Sequence, residues 1–512
     1  MKSINHHHTQ WAHMSCSRRD AISRVNWRKK AVDRNGELRK VRQRLARRDL
    51  RVDRLSKMVL ILTDKLEAEK QKTSTAVSAR NNVVILGDAF AIRVLCVLLV
   101  VIGVVSFRSV PRILRILRDT KKLSIGWIPS FTSAINWTLR AGLARLQSIR
   151  KIADPWVAII DCTIDVSVKK ALIVLRVKLS SLADRGSALT LDDCECIGVD
   201  VSESWDGESV AAALGRIFGV AGLPAAIIKD QGSDLRRGVR LWRQAARAKK
   251  VFVIDDIGHV MANALKAVYS KGKLFNDFLA AVKSGGAKLR QSDLAYLSPP
   301  KIRTKGRFQS IMNVAAWGMK IIELLGGRGR QEDGSLAGRL RRFLPHFGVH
   351  RGFLEGFAKT SIIASDILSI LKNRGLNQET YQDTAELITA LPERSKIRKK
   401  MTEWLKKHQQ IQCRLGIGQM PMPVSSDIIE SLIGKFKVIL QRNSKAEFNR
   451  IVLAIPTLFG DLSEPEVRNA LINITHTDLQ KWEHENVLTS LSRRRRLLEQ
   501  NGAQKNVWPS TG

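Results

Sequence analysis

Three carboxylates of this 512-residue chain stand where carboxylates can share cations. Asp161 closes the apolar run Trp156-Val157-Ala158-Ile159-Ile160, and Asp230 closes Ala225-Ala226-Ile227-Ile228-Lys229. Glu430 lies beside the apolar stripe Ile429, Leu432, Ile433 and Phe436 of a segment that Ser426 is placed to cap. Short continuous apolar runs of this kind read as buried strands. If the two strands are neighbours, the acids at their ends can hold a pair of Mg²⁺ ions about 4 Å apart, with Mn²⁺ as a substitute. That chemistry suits an anionic phosphodiester whose leaving 3′ oxygen gains charge. A lone acid at a strand end is commonly a cap or turn former, so the signal lies in the joint placement. Asp165, Asp200, Asp255 and Asp256 compete for the same reading, the last pair most seriously because it ends a further strand.

The elements that must position these acids follow from the periodicity of residues 156–256. Strands are expected at Trp156–Ile160, Ala171–Val177 and Ile197–Val201. A helix over Glu208–Val220, a strand at Ala225–Lys229, a helix over Leu235–Ala248 and a strand at Lys250–Ile254 come next. Three strands, then helix, strand, helix, strand is the order of a ribonuclease-H-like sheet, an antiparallel meander extended by parallel crossovers. The strand pattern then gives way to helical segments (Met261–Val282, Ile311–Leu325, Ser361–Leu371, Glu379–Leu391, Ser395–Gln412) up to the break Met420-Pro421-Met422-Pro423-Val424. Beyond the break, Lys437 follows Glu430 by seven residues, two turns along the same side of one helix. The predicted fold is therefore α/β, a mixed five-stranded sheet with an all-α insertion.

Asp161, then Ile228-Lys229-Asp230-Gln231-Gly232-Ser233-Asp234-Leu235, then Ile429-Glu430-Ser431-Leu432-Ile433-Gly434-Lys435-Phe436-Lys437 together resemble the Asp-Asp-Glu (DDE) transposases of bacterial insertion sequences. The resemblance covers roughly residues 106–440. It implies that Asp161, Asp230 and Glu430 form a metal-binding triad and that Lys437, with Lys435 beside it, contacts end DNA. His259, in Asp255-Asp256-Ile257-Gly258-His259, takes the place of an active-site histidine of some related enzymes, or is simply a helix-start histidine. The tyrosine and arginine that accompany the glutamate in one large subgroup are not recognisable here. The helical stretch between Asp230 and Glu430 resembles the insertion domain that some members carry.

Charge points to the same class of partner. Lys and Arg number 86 against 47 Asp and Glu, a net charge of +39, which argues against an ordinary metabolic enzyme and for a polyanion. The excess is uneven: residues 1–80 hold 21 basic and 8 acidic residues, whereas residues 151–260 hold 15 of each. A carboxylate-rich block within a basic chain fits a metal-dependent site in a phosphate-binding surface. The longest apolar run, residues 94–107, is 14 residues and too short to span a membrane. No signal peptide is recognisable at Met1-Lys2-Ser3-Ile4, and six cysteines are too few for a disulfide framework, so an intracellular chain is expected.

The expected organisation is a basic tail (1–36), a coiled coil (37–72), a helix-turn-helix domain (82–150), a catalytic domain (151–258 with 424–460), an all-α insertion (259–423) and a basic helical tail (461–512). Leu38, Leu45, Val52, Val59 and Leu66, with Val41, Arg48, Leu55 and Leu62 three positions on, write the heptad of a coiled coil, which implies a homodimer; a single amphipathic helix lying on the protein's own body is the alternative. In the helix-turn-helix, Ser130 caps a helix presenting Thr132, Ser133, Asn136 and Arg140 to DNA, aided by Arg108 and Arg112. A helical hairpin with a basic face is the alternative. Trp317 either stacks on an unpaired base or packs in the core, Trp205 and Trp242 read as packing, and Arg493 to Arg496 touch phosphate or stay solvated. Cys194 and Cys196 lack the second pair a zinc site needs. The expected activity is metal-dependent cleavage at transposon ends and 3′-OH strand transfer into duplex DNA, in the cytoplasm at the nucleoid. A structure-specific endonuclease of the same fold and a catalytically silent DNA-binding regulator are the alternatives.

Overall fold

The computed structural model describes residues 84–86, 88–120, 123–166, 169–182, 188–302, 307–326, 335–440 and 449–487. The chain divides into two compact units at Asn82/Val83, and the coiled-coil heptads, the basic tail before them and Arg493 to Arg496 lie outside the described residues.

The second unit is built on one five-stranded sheet. Its strands are β3 (Trp156–Val166), β4 (Lys169–Lys178), β5 (Glu195–Ser202), β6 (Ala226–Lys229) and β7 (Phe252–Asp255), in the spatial order β5-β4-β3-β6-β7. The first three form an antiparallel meander; β6 and β7 add in parallel through helices α4 (Gly207–Ala221) and α5 (Ser233–Ala245). This is the order expected from the sequence. The strands are nearly continuous in apolar residues because both faces are covered. Val157, Ile159, Ile173, Ile228 and Ile254 point into one core; Ala158, Ile160, Leu172, Val174 and Ile227 point into the other, beneath α4 and α5. In that second core Phe218 packs against Trp156 and Trp242, with ring centroids 5.9 and 4.8 Å apart.

The first core continues through the remaining helices: α6 (Ile257–Tyr269), α7 (Lys273–Leu289), α8 (Arg307–Leu325), α9 (Leu336–Phe343), α10 (Arg351–Arg374), α11 (Gln378–Thr389), α12 (Lys396–Arg414) and α13 (Asp427–Ile439). The single helix expected over Met261–Val282 is two, interrupted by a turn ending at Gly272. Trp317 packs on Phe347 and donates its indole N–H to Leu297 O at 2.8 Å, so the packing reading stands. No helix among the described residues is long and apolar enough to cross a membrane.

The segment before the sheet departs from expectation. A short strand β1 (Val84–Leu86) precedes helices α1 (Ala89–Val101), α2 (Val110–Asp119) and α3 (Phe131–Gln147) and pairs in parallel with β2 (Leu123–Ile125), so a strand separates the two supposed helix-turn-helix helices, α2 and α3. Ser130 does cap α3, accepting from Ser133 N at 3.2 Å. The helix itself is a core element: Ala134, Trp137, Thr138, Leu139, Ala141 and Leu143 are buried against α1, the turns at 450–458 and two further helices, α14 (Glu464–Asn473) and α15 (His476–Asn486). Residues 464–486, expected within a basic tail, thus bury Val467, Leu471 and Leu479 in the body of the protein.

Gly142 marks how close that packing is, since a Cβ there would lie 1.6 Å from the carbonyl oxygen of Leu453, a backbone atom that cannot swing away. Gly142→Ala is expected to lower stability by about 1–3 kcal/mol as overpacking does. Gly219→Ala, at an exposed position of α4 with nothing within 4 Å of the new methyl, is expected to raise it by roughly 0.5–1 kcal/mol. Thermal unfolding of the two variants checks both signs.

Candidate active site

The parallel pairing of β3 with β6 ends at Ile160↔Lys229, and the next residue of each strand is an acid. Asp161 and Asp230 are therefore register neighbours on strands about 4.8 Å apart. Alternation along each strand puts Asp161 on the side of Val157 and Ile159, and Asp230 on the side of Ala226 and Ile228, which is one and the same sheet face. The sequence reading ended the first strand at Asp161; it instead runs to Val166, because the hairpin with β4 stays paired through Asp161↔Ile173, Cys162↔Leu172 and Thr163↔Ala171. Only the β6 side stops there. The Asp230 carboxylate accepts from Gly232 N at 2.9 Å, turning the chain out of β6 into α5.

The helix α13 lies over this same face, with Ile429, Leu432, Ile433 and Phe436 in the core beneath it. Its start is fixed by a residue that the sequence offered as a rival ligand. Asp256 is 1% exposed, and its Oδ2 accepts from Ser426 N at 2.7 Å and Ser426 Oγ at 3.1 Å. Its Oδ1 accepts from His259 N at 2.7 Å and meets His259 Nδ1 at 3.0 Å. The expected capping role of Ser426 is thereby corrected: its hydroxyl makes no cap bond to α13 and serves Asp256 instead. Lys372 of α10 adds an ion pair to Asp427 in the first turn. Glu430 follows in that turn, exposed at the edge of the stripe.

Asp255 is also accounted for. Lys229, its register neighbour, and Lys407 each hold one of its oxygens at 2.9 Å. These two ammonium groups outweigh burial and bring its carboxyl down to about 2. Its backbone is gripped by α12, with Asp255 N donating to His408 Nε2 at 3.0 Å and Trp404 Nε1 donating to Asp255 O at 2.9 Å. Asp200 pairs with Arg216; the side chain of Asp165 lies outside the described residues.

Electrostatically, Asp161, Asp230, Glu430, Asp256 and His259 form one neighbourhood. Burial, then the charge of Asp230, pushes the Asp161 carboxyl up to about 7, with smaller contributions from Asp256 and Glu430 and an opposing one from His259. Burial alone would depress His259, but the hydrogen bond and charge of Asp256, joined by Asp230 and Asp161, raise it to about 9. Asp161, Asp230 and Glu430 offer oxygen donors only, with more negative charge than His259 offsets, which suits a hard divalent cation. Among the described residues no group of three His, Cys, Asp or Glu side chains is placed to hold a metal ion.

The expected DNA contacts divide. Lys437 is exposed on the Glu430 side of α13, whereas Lys435 is half-buried and lines a separate cleft with Leu189, Thr190 and Asp192. Arg140 is withdrawn as a DNA contact: its guanidinium donates to the carbonyls of Leu471 and Ile474 at the end of α14. Thr132 and Ser133 share the Ser130 cap through their hydroxyls, at 2.6 and 3.0 Å. Asn136 is half-buried, and Arg108 and Arg112 are exposed, Arg108 over the Phe131 ring. The sequence reading missed Asp256, Ser426 and the Lys229–Asp255 pair as the frame of the site; the buried Lys229 within an apolar strand was the one available signal.

No protein-family model and no curated protein matches the chain. Among solved structures it is similar to the Drosophila P element transposase strand transfer complex, at 12% identity and a TM-score of 0.39, covering 81% of this chain and 100% of that one. A likeness this distant adds nothing to the geometry above.

Both raised groups have the same linkage sign. Asp161 favours the fold below its ordinary value of 3.8, a contribution lost as pH rises through about 7. His259 favours it below 6.5, lost as pH rises through about 9. In chelator, Asp161→Asn is expected to melt higher than the wild type at pH 8, with the difference shrinking toward pH 5. A variant destabilised equally at both pH values would show that ionising Asp161 costs the fold nothing, through burial or through the charge of Asp230.

Proposed function

We propose that this chain is a DNA transposase of the Asp-Asp-Glu type, cleaving at transposon ends and transferring the 3′-OH so released into target DNA. The observation that carries the reading is the placement of Asp161 and Asp230 at the close of one parallel strand pairing, with the Glu430 helix on the same sheet face. The net charge of +39 supports a nucleic-acid substrate.

Asp161 with Asp230, and Asp161 with Glu430, would hold two Mg²⁺ or Mn²⁺ ions, which when bound neutralise the phosphodiester and stabilise the attacking and leaving oxygens of an in-line displacement. Asp161 holds a proton up to about pH 7 and releases it as the site fills. His259, anchored through Nδ1 on Asp256, keeps a positive charge beside Asp161 and Asp230 and so offsets the charge that an incoming phosphate brings. Lys437 takes a phosphate of the end duplex, two turns from Glu430. Arg108, Arg112, Thr132, Ser133 and Asn136 add contacts outside the sheet. In cleavage a water oxygen bonds to phosphorus as the 3′ oxygen departs. In transfer that 3′-OH attacks a target phosphodiester, one P–O bond forming as another breaks, so one geometry serves both. Pairing through the heptads of residues 37–72 would bring two chains, and two ends, together.

The test uses labelled duplexes from the DNA flanking the gene, a supercoiled target and either metal. The wild type is expected to give joined product. Asp230→Asn and Glu430→Gln are expected to lose it by about 10²–10³-fold or more while still binding the ends. Nicking without joining by the wild type would replace the reading with a structure-specific nuclease. Binding with neither reaction would indicate a silent regulator.

A further inference from the structure

The face of the sheet opposite Glu430 carries a second basic surface. Helix α5 buries Leu235, Val239 and Trp242 against the sheet and turns Arg236 and Arg240 outward, and the turn after it exposes Arg247, Lys249 and Lys250. Arg236 and Arg240 stand one turn apart in a stripe along α5, and Arg247, Lys249 and Lys250 follow it from the turn beyond the helix end. The neighbouring cations Arg237 and Arg216 are taken by Glu208 and Asp200. Among the described residues no carboxylate pairs with Arg240, Arg247, Lys249 or Lys250, and Arg236 meets only the carbonyl of Gln231, beside Asp230.

Arg247 adds an independent observation. Its φ is +52°, the left-handed position that ends α5, with Ala248 N bonding back to Arg243 O at 2.9 Å. Glycine is the residue that closes a helix this way without strain. An arginine there gives up backbone stability and keeps an exposed cation at the end of the stripe.

We propose that this stripe is the docking surface for target DNA, an inference that rests on the transposase reading. Strand transfer brings two duplexes to one set of carboxylates, and they cannot share a surface. The end duplex belongs to the Lys437 side, on the face of α13; α5 starts three residues after Asp230 and leaves along the other face. From Arg236 to the end of α5 at Ala245 the helix covers about 14 Å, a little under half of a duplex turn of about 34 Å. Guanidinium and ammonium contacts to phosphate position a duplex without reading bases, which suits a target of arbitrary sequence.

The experiment compares the full chain with the triple variant Arg240→Ala, Arg247→Gly, Lys249→Ala. Binding of a duplex unrelated to the ends is followed by anisotropy across a salt series, beside end cleavage and joining in Mg²⁺. The variant is expected to flatten the log–log salt slope for the unrelated duplex by about 3, from three lost phosphate contacts. Joining should fall at least tenfold, with end cleavage unchanged. Arg247→Gly alone should melt higher than the wild type yet join less, separating surface from fold. A slope and joining yield equal to the wild type's would overturn the proposal and leave the transposase reading intact. A flattened slope in a protein whose wild type neither cuts nor joins would keep the surface as a duplex-binding one and overturn its assignment to target capture together with that reading.

Discussion

A carboxylate with almost no access to water, that of Asp256, holds the site's elements in register. Burying such a charge costs several kcal/mol unless hydrogen bonds and an opposite charge replace the lost water. Here Ser426 supplies two donors and His259 two more, one from its backbone and one from its ring. The residue thus joins three things at one point: the end of β7, the first turn of α6 and the first turn of the Glu430 helix. Break that point and the Glu430 helix loses its side-chain tie to the end of β7, 170 residues earlier in the chain.

The neighbouring Asp255 anchors the opposite side of the strand end. Lys229 and Lys407 grip its carboxylate, and Trp404 and His408 grip its backbone, so α12 covers the edge that β7 would otherwise present to solvent. His408 is neutral in this role, burial bringing it down to about 4, which leaves Nε2 able to accept the strand's N–H. A frame this over-determined can hold Asp161 beside Asp230 against their mutual repulsion. Burial first, and then the charge of Asp230, let Asp161 keep its proton to about pH 7. It is the kind of local conflict with folding that a binding site tolerates because a ligand resolves it.

Much of the sheet was legible because doubly covered strands are nearly continuous in apolar residues: Trp156–Ile160, Ala171–Val177 and Ala225–Lys229 bury apolar side chains on both faces, with Arg176 and Lys229 the charged exceptions. The pairing of Asp161 with Asp230 follows from strand order alone. What sequence could not supply was the use of polar side chains over long separations. Ser426 looks like a helix cap by local rules, yet its partner lies 170 residues away. Arg140 looks like an outward cation, yet it terminates a helix more than 300 residues later. The continuation of β3 past Asp161 was hidden because Cys162, Thr163 and Asp165 break the apolar run while the hairpin to β4 persists. The short strands β1 and β2 carry too few residues for periodicity to register.

The claim at the centre is that Asp161, Asp230 and Glu430 together bind two cations. Titration of the metal-free full chain with Mn²⁺, followed by electron paramagnetic resonance, tests it without any DNA. The account predicts two ions bound per chain, with proton release at pH 6, and loss of at least one ion in Asp230→Asn and in Glu430→Gln. Unchanged stoichiometry and affinity in both variants would contradict it.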